Sequence, residues 1–169
     1  TTWRASLTTS PFTTAGYGVA WNGTQWVAVG YGGNTIAYSA DGLQWTGNST
    51  FSTQGNDVAY GKDSSGNGLW VAVGSGGNSL APSTNGITWT GRGSSIFSST
   101  VQGIYGYKST TDVTATTTLS EYLVVGAGTN SFGITTDGTT FSGLNRLNTF
   151  TTQGNGINYD PVSGKWVAM

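Results

Sequence analysis

The chain has 169 residues, enough for one domain with a sizeable core, and only 8% of them are charged, with a formal net charge of −1. This balance excludes the basic surface of a nucleic-acid-binding protein and the polybasic patch of a membrane-surface protein. The absence of histidine and cysteine excludes imidazole and thiolate metal sites, histidine-based triads and disulfide bonds, and no apolar run approaches the length of a membrane span.

The N-terminal residues 1–8 are predicted to form the last strand of a repeat. Trp3, with Thr2 before it, matches the aromatic residues that close the later repeats, and a polar stretch then leads to Phe12. We therefore expect this strand to lack a hairpin of its own.

A segment that begins and ends with an aromatic residue then occurs three times, at 26–45, 70–89 and 122–141. Its two ends are 19 positions apart in every copy. A fixed spacing indicates one supersecondary unit that is repeated.

Each copy has the pattern of several short strands. In the first copy, Val27 and Val29 alternate with Trp26 and Ala28, which is the period of a strand with two different faces. Glycine and asparagine tolerate positive φ, so a chain reversal is expected at Gly30, Gly32, Gly33 and Asn34. The first complete unit is predicted to have strands at about 17–21, 25–30, 34–39 and 44–47.

A second turn in each copy has a hydroxyl residue, then Asp or Asn, then Gly, then an aromatic residue. The hydroxyl and the Asp or Asn can accept backbone N–H groups, while Gly takes the strained dihedral angle. Because Asn85 stands where the other copies have Asp, the position needs an acceptor rather than a charge. The turn residues are Ser39, Asp41, Gly42 and Trp45; Ser83, Asn85, Gly86 and Trp89; and Thr135, Asp137, Gly138 and Phe141.

These turns resemble the Asp-box, or BNR, repeat of sialidase-like β-propellers, shortened by one residue between the Asp and the aromatic residue. The whole unit, GNTIAYSADGLQWTG followed by FSTQGNDVAYG and WVAVG, is similar to tandem repeats of secreted bacterial proteins and of large DNA viruses of algae and protists. The resemblance covers nearly the entire chain. It implies an all-β fold, a β-propeller built from four-stranded antiparallel blades, but no single activity, because such propellers carry unrelated functions.

We therefore expect one propeller domain or propeller segment over 1–169. It would consist of three complete blades, a partial blade and the N-terminal strand, at 12–50, 51–96, 97–149, 150–169 and 1–8. The missing part of the partial blade could come from the remainder of a longer chain or from a neighbouring subunit, or the ring could close with a three-stranded blade. A free sheet edge would otherwise expose unpaired backbone groups.

The charged residues do not predict an active site. The arginines follow the aromatic residues of their turns at unequal distances, which argues against a shared carboxylate-binding triad; they are Arg4, Arg92 and Arg146. The only glutamate, Glu121, is expected at a loop rim. Asp41 and Asp137 belong to turns, and the other aspartates are expected in loops at non-equivalent positions, namely Asp57, Asp63, Asp112 and Asp160. We expect no catalytic, cofactor or metal site.

The aromatic residues are mostly explained by the repeat. Tryptophans at repeat-equivalent positions are expected to pack within or between blades, and Trp45→Ala or Trp89→Ala is predicted to cost about 3–5 kcal/mol. Tyr31 stands in a predicted turn and is the best candidate for an exposed ligand contact. Asn22 and Asn48 begin N-glycosylation sequons in predicted loops.

The leading functional hypothesis is a non-catalytic structural or adhesive surface protein, a virion or extracellular component. Its expected partners are other protein subunits or the remainder of a longer chain. The alternative is a carbohydrate-binding module that uses the rim loops, of which 108–121 is the longest, and Tyr31; a second alternative is a fragment of a propeller glycosidase. We expect no nucleic-acid partner and no membrane insertion.

Overall fold

The computed structural model describes residues 7, 9–108, 120–128, 131–143, 153–160 and 165–168. These residues contain strands and no helix, which confirms the all-β prediction. The strands are β1 Phe12–Trp21, β2 Trp26–Gly33, β3 Ile36–Ser39, β4 Thr46–Asn48, β5 Gln54–Lys62, β6 Gly68–Ser75, β7 Leu80–Ser83, β8 Val101–Lys108, β9 Ser120–Gly126, β10 Phe132–Thr135, β11 Ser142–Gly143, β12 Ile157–Asp160 and β13 Lys165–Ala168. The predicted strand at 1–8 lies outside the described residues, apart from Leu7.

The strands form antiparallel meanders within β1–β4, β5–β7, β8–β11 and β12–β13, and the pairing of Tyr31 with Gln54 joins the first two meanders into one seven-stranded sheet. We refer to β1–β4 as unit 1, β5–β7 as unit 2, β8–β11 as unit 3 and β12–β13 as unit 4. Residues 90–93 complete unit 2, because the N–H groups of Thr90 and Arg92 donate to the carbonyl oxygens of Pro82 and Leu80 at 3.1 and 2.9 Å.

The first two strands of unit 1 are longer than predicted. β1 begins at Phe12, which pairs with Gly33, and β2 extends to Gly33, so that the reversal into β3 falls at Asn34 and Thr35. Register shifts between Phe12 and Ala15 and between Gly16 and Gly18 let β1 bend while the ladder continues. The prediction that Tyr31 lies in a turn is therefore wrong: it is a β2 residue that pairs with Ala15.

The first strands of successive units lie beside one another, so that the sheets are curled. A methyl group placed on Gly18 of β1 would lie 2.9 Å from Asp57 Oδ1 on β5, and one on Gly103 of β8 would lie 3.2 Å from Gly156 Cα, just before β12. The side-chain amide of Asn56 donates to the carbonyl oxygen of Val101 at 2.8 Å. Small residues thus permit a close approach of these strands.

The hydrophobic core lies between the units. On each of units 1 and 2, one side presents aliphatic residues and the phenylalanine that follows the unit; we call it the valine face. It consists of Val27, Val29, Ile36 and Phe51 in unit 1, and of Val71, Val73, Leu80 and Phe97 in unit 2.

The opposite side of a unit is called the tryptophan face, and in units 2 and 3 it packs on the valine face of the preceding unit. In unit 2 it includes Val58, Trp70, Ala72 and Trp89, and in unit 3 it includes Ile104, Tyr122, Val124 and Phe141. Because strand residues alternate between the two sides, one sequence pattern supplies both faces. The same interface is therefore built twice.

Candidate functional site

The predicted turn residues of unit 1 form a compact hydrogen-bonded loop. Ser39 Oγ accepts from the N–H groups of Asp41 and Gly42 at 3.3 and 2.8 Å. Asp41 Oδ1 accepts from the N–H groups of Leu43 and Gln44, both at 2.8 Å, and from the Ser39 hydroxyl at 3.1 Å. Gly42 has a φ of 74°, which a side chain would strain.

The turns of units 2 and 3 repeat these bonds. Asn85 Oδ1 accepts from the N–H groups of Ile87 and Thr88 at 2.9 and 2.8 Å, and Asp137 Oδ1 accepts from those of Thr139 and Thr140, both at 2.7 Å. The hydroxyls of Ser83 and Thr135 accept from the glycine N–H groups, Gly86 and Gly138, at 2.9 Å each. A neutral amide oxygen therefore serves in this turn as well as a carboxylate.

Backbone hydrogen bonds set the ionisation of the turn carboxylates. The N–H group of Gln44, followed by that of Leu43, holds the pKa of Asp41 below its ordinary value. The N–H group of Thr140 is the largest cause of the lowered pKa of Asp137. Both groups stay ionised at neutral pH as acceptors, which is unsuited to proton donation.

The prediction that places Asp57 in a loop is wrong. It lies in β5 rather than in a loop, with Oδ1 accepting from Val58 N–H at 2.8 Å and Oδ2 from Ile104 N–H at 3.1 Å. Burial raises its pKa, against the effect of these two donors. The carboxylate thus ties unit 2 to unit 3. The available signal was its alignment with Gly18 and Gly103, which occupy the same position on their strands.

Half of the charged residues considered for glycosidase chemistry have described side chains, namely four aspartates and Arg92. Arg92 is half-buried, and its Nε finds no hydrogen-bond partner among the described residues. Within the described ranges, no three His, Cys, Asp or Glu side chains are grouped so as to hold a metal ion, and no helix there could cross a membrane. Outside the described part lie Trp3, Arg4, Asp112, Arg146, most of the loop 108–121, and the side chains of Glu121 and Asp160.

The aromatic residues of the turns differ in their surroundings. Trp89 is half-buried and packs against the core between units 1 and 2. Trp45 is also half-buried, and its indole N–H donates to the Gly42 carbonyl oxygen at 3.0 Å. Among the tryptophans whose side chains the structure describes, Trp70 is the one that the core encloses, at 1% exposure.

The tryptophan face of unit 1 is open as far as the described part of the chain extends. Val19 is 58% exposed, whereas the equivalent Val58 and Ile104 are each 5% exposed. A groove of about 420 Å³ crosses this face, lined by Gly16, Tyr17, Gly18, Val19, Ala28 and Trp45. At the other end of the chain, Val167 of β13 is 54% exposed, although its valine-face equivalents in units 1 and 2 are fully buried.

The single-residue candidates lie at the surface or between units. Tyr31 is 41% exposed on β2. Asn22 Oδ1 accepts from the N–H groups of Thr24 and Gln25 at 2.9 and 2.7 Å, which closes the loop between β1 and β2. Asn48 Nδ2 donates to the carbonyl oxygen of Ile87 at 3.3 Å, so this sequon nitrogen takes part in a contact between units 1 and 2.

A cavity of about 280 Å³ lies between unit 1 and the turn of unit 2. The side-chain nitrogen of Gln25, which lines it, is buried and finds no hydrogen-bond partner among the described residues. The lining residues are Thr24, Gln25, Tyr38, Ser39, Ala40, Gln44, Thr46 and Ile87.

Comparisons with known proteins find a likeness of fold. No protein-family model matches the sequence, and no curated protein matches it. A solved structure described as the crystal structure of the computationally designed Ika4 protein matches with a TM-score of 0.58 and 12% sequence identity, over 99% of this chain and 98% of that chain. At this identity the match shows a shared fold alone.

Proposed function

We propose that this protein is a non-catalytic structural or adhesive component of an extracellular or virion surface, built as an Asp-box β-propeller whose units join through their faces. The observation that carries the proposal is the open tryptophan face of unit 1. Valine, alanine and tryptophan side chains there occupy the positions that a valine face covers in units 2 and 3. The open face therefore has the form of one half of an interface that the chain builds twice.

The partner of this face is inferred to be another repeat unit. Exposed apolar patches on soluble proteins mark interaction surfaces, and a valine face is complementary to this one by the repeat itself. The remainder of a longer chain is the first source to consider, a neighbouring subunit the second, and unit 4 of the same chain the third. Val167 shows that unit 4 also has an uncovered valine-face position.

The bonding of the carboxylates supports a non-catalytic role. Asp41 and Asp137 hold turns, Asp57 joins two units, and Asp63 accepts from the N–H groups of Ser65 and Asn67 at 2.9 and 2.8 Å. Each of these groups has a structural task, and general acid and base catalysis needs a pair of carboxylates aimed at one substrate bond.

Cross-linking tests the proposal, because the chain has no cysteine of its own. We expect the double variant Val19→Cys/Val167→Cys to form a disulfide on mild oxidation, and the single variants serve as controls. A bond within one chain identifies unit 4 as the partner, and a bond between chains identifies a neighbouring subunit.

Two further outcomes are possible: one indicates that a longer chain supplies the partner, and the other contradicts the proposal. If the remainder of a longer chain covers the face, this 169-residue chain should aggregate without a specific cross-link, and Val19→Lys should restore a monomer by light scattering. A soluble monomer that forms neither disulfide would contradict the proposal.

A further inference from the structure

The cavity between units 1 and 2 is lined by uncharged groups of two kinds. Gln25, Gln44 and Thr46 can donate and accept hydrogen bonds, and the two glutamine amides stand on different loops of unit 1. Tyr38 and Ile87 add apolar surface, with the Tyr38 ring half-buried. None of the described lining residues carries a charge. The lining thus combines amide and hydroxyl groups with one aromatic side chain.

The equivalent place between units 2 and 3 is filled differently. A methyl group placed on Gly138 of the unit 3 turn would lie 2.5 Å from Leu69 Cδ2, and one placed on Gly86 of the unit 2 turn would lie 2.9 Å from Gln25 Nε2. Leu69 and Gln25 are therefore equivalent, because each side chain contacts the glycine turn of the next unit. Leu69 is buried in the core there, whereas Gln25 brings a polar amide to the same place.

The buried amide of Gln25 destabilises the interface between units 1 and 2. Its amide nitrogen is removed from solvent and finds no acceptor in the described part of the chain. A buried donor without an acceptor loses its hydrogen bonds to water and gains none to protein. Leucine would therefore stabilise this position more if packing alone mattered. Gln25 Nε2 lies against Gly86, and the Gln25 side chain also lines the cavity, so the amide is explained if it turns to an acceptor that enters the cavity from outside.

We infer that this cavity binds a neutral saccharide ring, as a free sugar or as the terminal residue of a glycan. A pyranose ring presents hydroxyl acceptors and donors for the amides of Gln25 and Gln44 and an apolar face for Tyr38. The cavity volume of about 280 Å³ is just below the range of about 300–1,000 Å³ that small-molecule sites occupy, which suits one ring. The site is additional to the open face and does not depend on it.

The test is a titration of the full chain with methyl glycosides of neutral hexoses and of N-acetylhexosamines. We expect the ¹⁵N side-chain amide signals of Gln25 and Gln44 to shift together with at least one glycoside. Gln25→Leu, which copies the equivalent Leu69, should bind about tenfold more weakly while remaining folded. Thr88→Ala, at the position of the next unit equivalent to Gln44, should bind as the parent does.

A glycan array probed with the parent chain and with Gln25→Leu distinguishes a free sugar from the terminal residue of a glycan. A signal that the variant loses, together with weak binding of the methyl glycosides, identifies a terminal glycan residue, whereas binding of the glycosides without any array signal identifies a free sugar. The inference is overturned if no glycoside and no array glycan binds, which leaves water as the occupant. It is also overturned if Gln25→Leu binds as tightly as the parent, or if Tyr31→Ala removes binding that Gln25→Leu retains.

Discussion

The tryptophan faces of units 1 and 2 have matching residue types at matching positions and yet stand in different surroundings. Val58 and Trp70 of unit 2 are enclosed by the valine face of unit 1, whereas their counterparts Val19 and Trp26 are exposed and half-buried. The sequence pattern decides which side a residue faces, and the neighbouring unit decides whether the residue is buried. The enclosure of the tryptophan face therefore depends on contacts between units.

The largest expected difference between the two faces concerns their tryptophans. Trp70→Ala should lower the free energy of unfolding by about 3–5 kcal/mol, because it leaves a large cavity in the core. Trp26→Ala should cost clearly less, because that ring is only half-buried. Its aromatic neighbour Trp21, with ring centroids 4.7 Å apart, is itself 41% exposed. Urea unfolding measures both, and equal losses would remove the distinction between the faces.

The same measurement revises the expectation for the turn tryptophans. Trp45 and Trp89 are half-buried rather than enclosed, so Trp45→Ala and Trp89→Ala should each cost less than Trp70→Ala. Trp89→Ala should be the more damaging of the two, because only Trp89 packs against a core cluster.

A smaller substitution sharpens the comparison at one strand position. Val58→Ala should lower the free energy of unfolding by about 2 kcal/mol, because the valine is buried between two units. In a chain that is monomeric, with no partner on unit 1, Val19→Ala should change the free energy of unfolding by less than about 0.5 kcal/mol. A similar loss for Val19→Ala in a monodisperse sample would show that another unit already covers unit 1.

The two interfaces between units also differ, at Gln25 and Leu69. Gln25→Leu should raise the free energy of unfolding by about 1 kcal/mol, because it removes a buried donor that has no acceptor. The reverse change, Leu69→Gln, should be destabilising, since it introduces such a donor into the other core. Thermal melts without added sugar test both signs, and a destabilised Gln25→Leu would show that the amide is satisfied.

The smallest effects are expected from acid. The lowered pKa values of Asp41 and Asp137 mean that their contribution to stability is complete above the ordinary value of 3.8 and is lost as the pH falls through the folded-state pKa. Asp41→Asn and Asp137→Asn should cost little at neutral pH, because Asn85 already fills this role, and should flatten the loss in acid. A thermal melt in which Asp41→Asn is as damaging as Trp45→Ala would contradict this account of the turn.

Asp57 should have the opposite pH dependence. Since burial raises its pKa, its contribution falls as the pH rises from 3.8 toward the folded-state value and stays at the lower level above it. Subtracting the stability curve of Asp57→Asn from that of the parent chain should isolate this slope between about pH 3 and 6. A difference that rises with pH would mean that the two backbone donors outweigh burial.

Local patterns made part of this structure predictable. The turn residues act over three or four positions, and the alternation of Val27 and Val29 with Trp26 and Ala28 separates the two faces. The turns and the alternation both depend only on residues that are close together in the sequence. The all-β fold follows from the same alternation.

Other features depend on contacts that no local pattern contains. Asp57 stands among glycine and asparagine, which suggests a loop, but a β-bulge keeps it in β5. Tyr31 lies between glycines that permit a bent strand as readily as a turn. The cavity at Gln25 arises only when the turn of unit 2 packs on unit 1.

The most direct test of the open face is the reactivity of a single cysteine placed on it. Val19→Cys and Ile87→Cys, at positions that are 58% and 41% exposed in this chain, are treated with a thiol-alkylating reagent under conditions in which the protein is one folded species. If another valine face covers unit 1 in solution, Val19→Cys should react about tenfold more slowly than Ile87→Cys despite its greater exposure here. Reaction of Val19→Cys at an equal or higher rate would contradict the claim that this face is an interface.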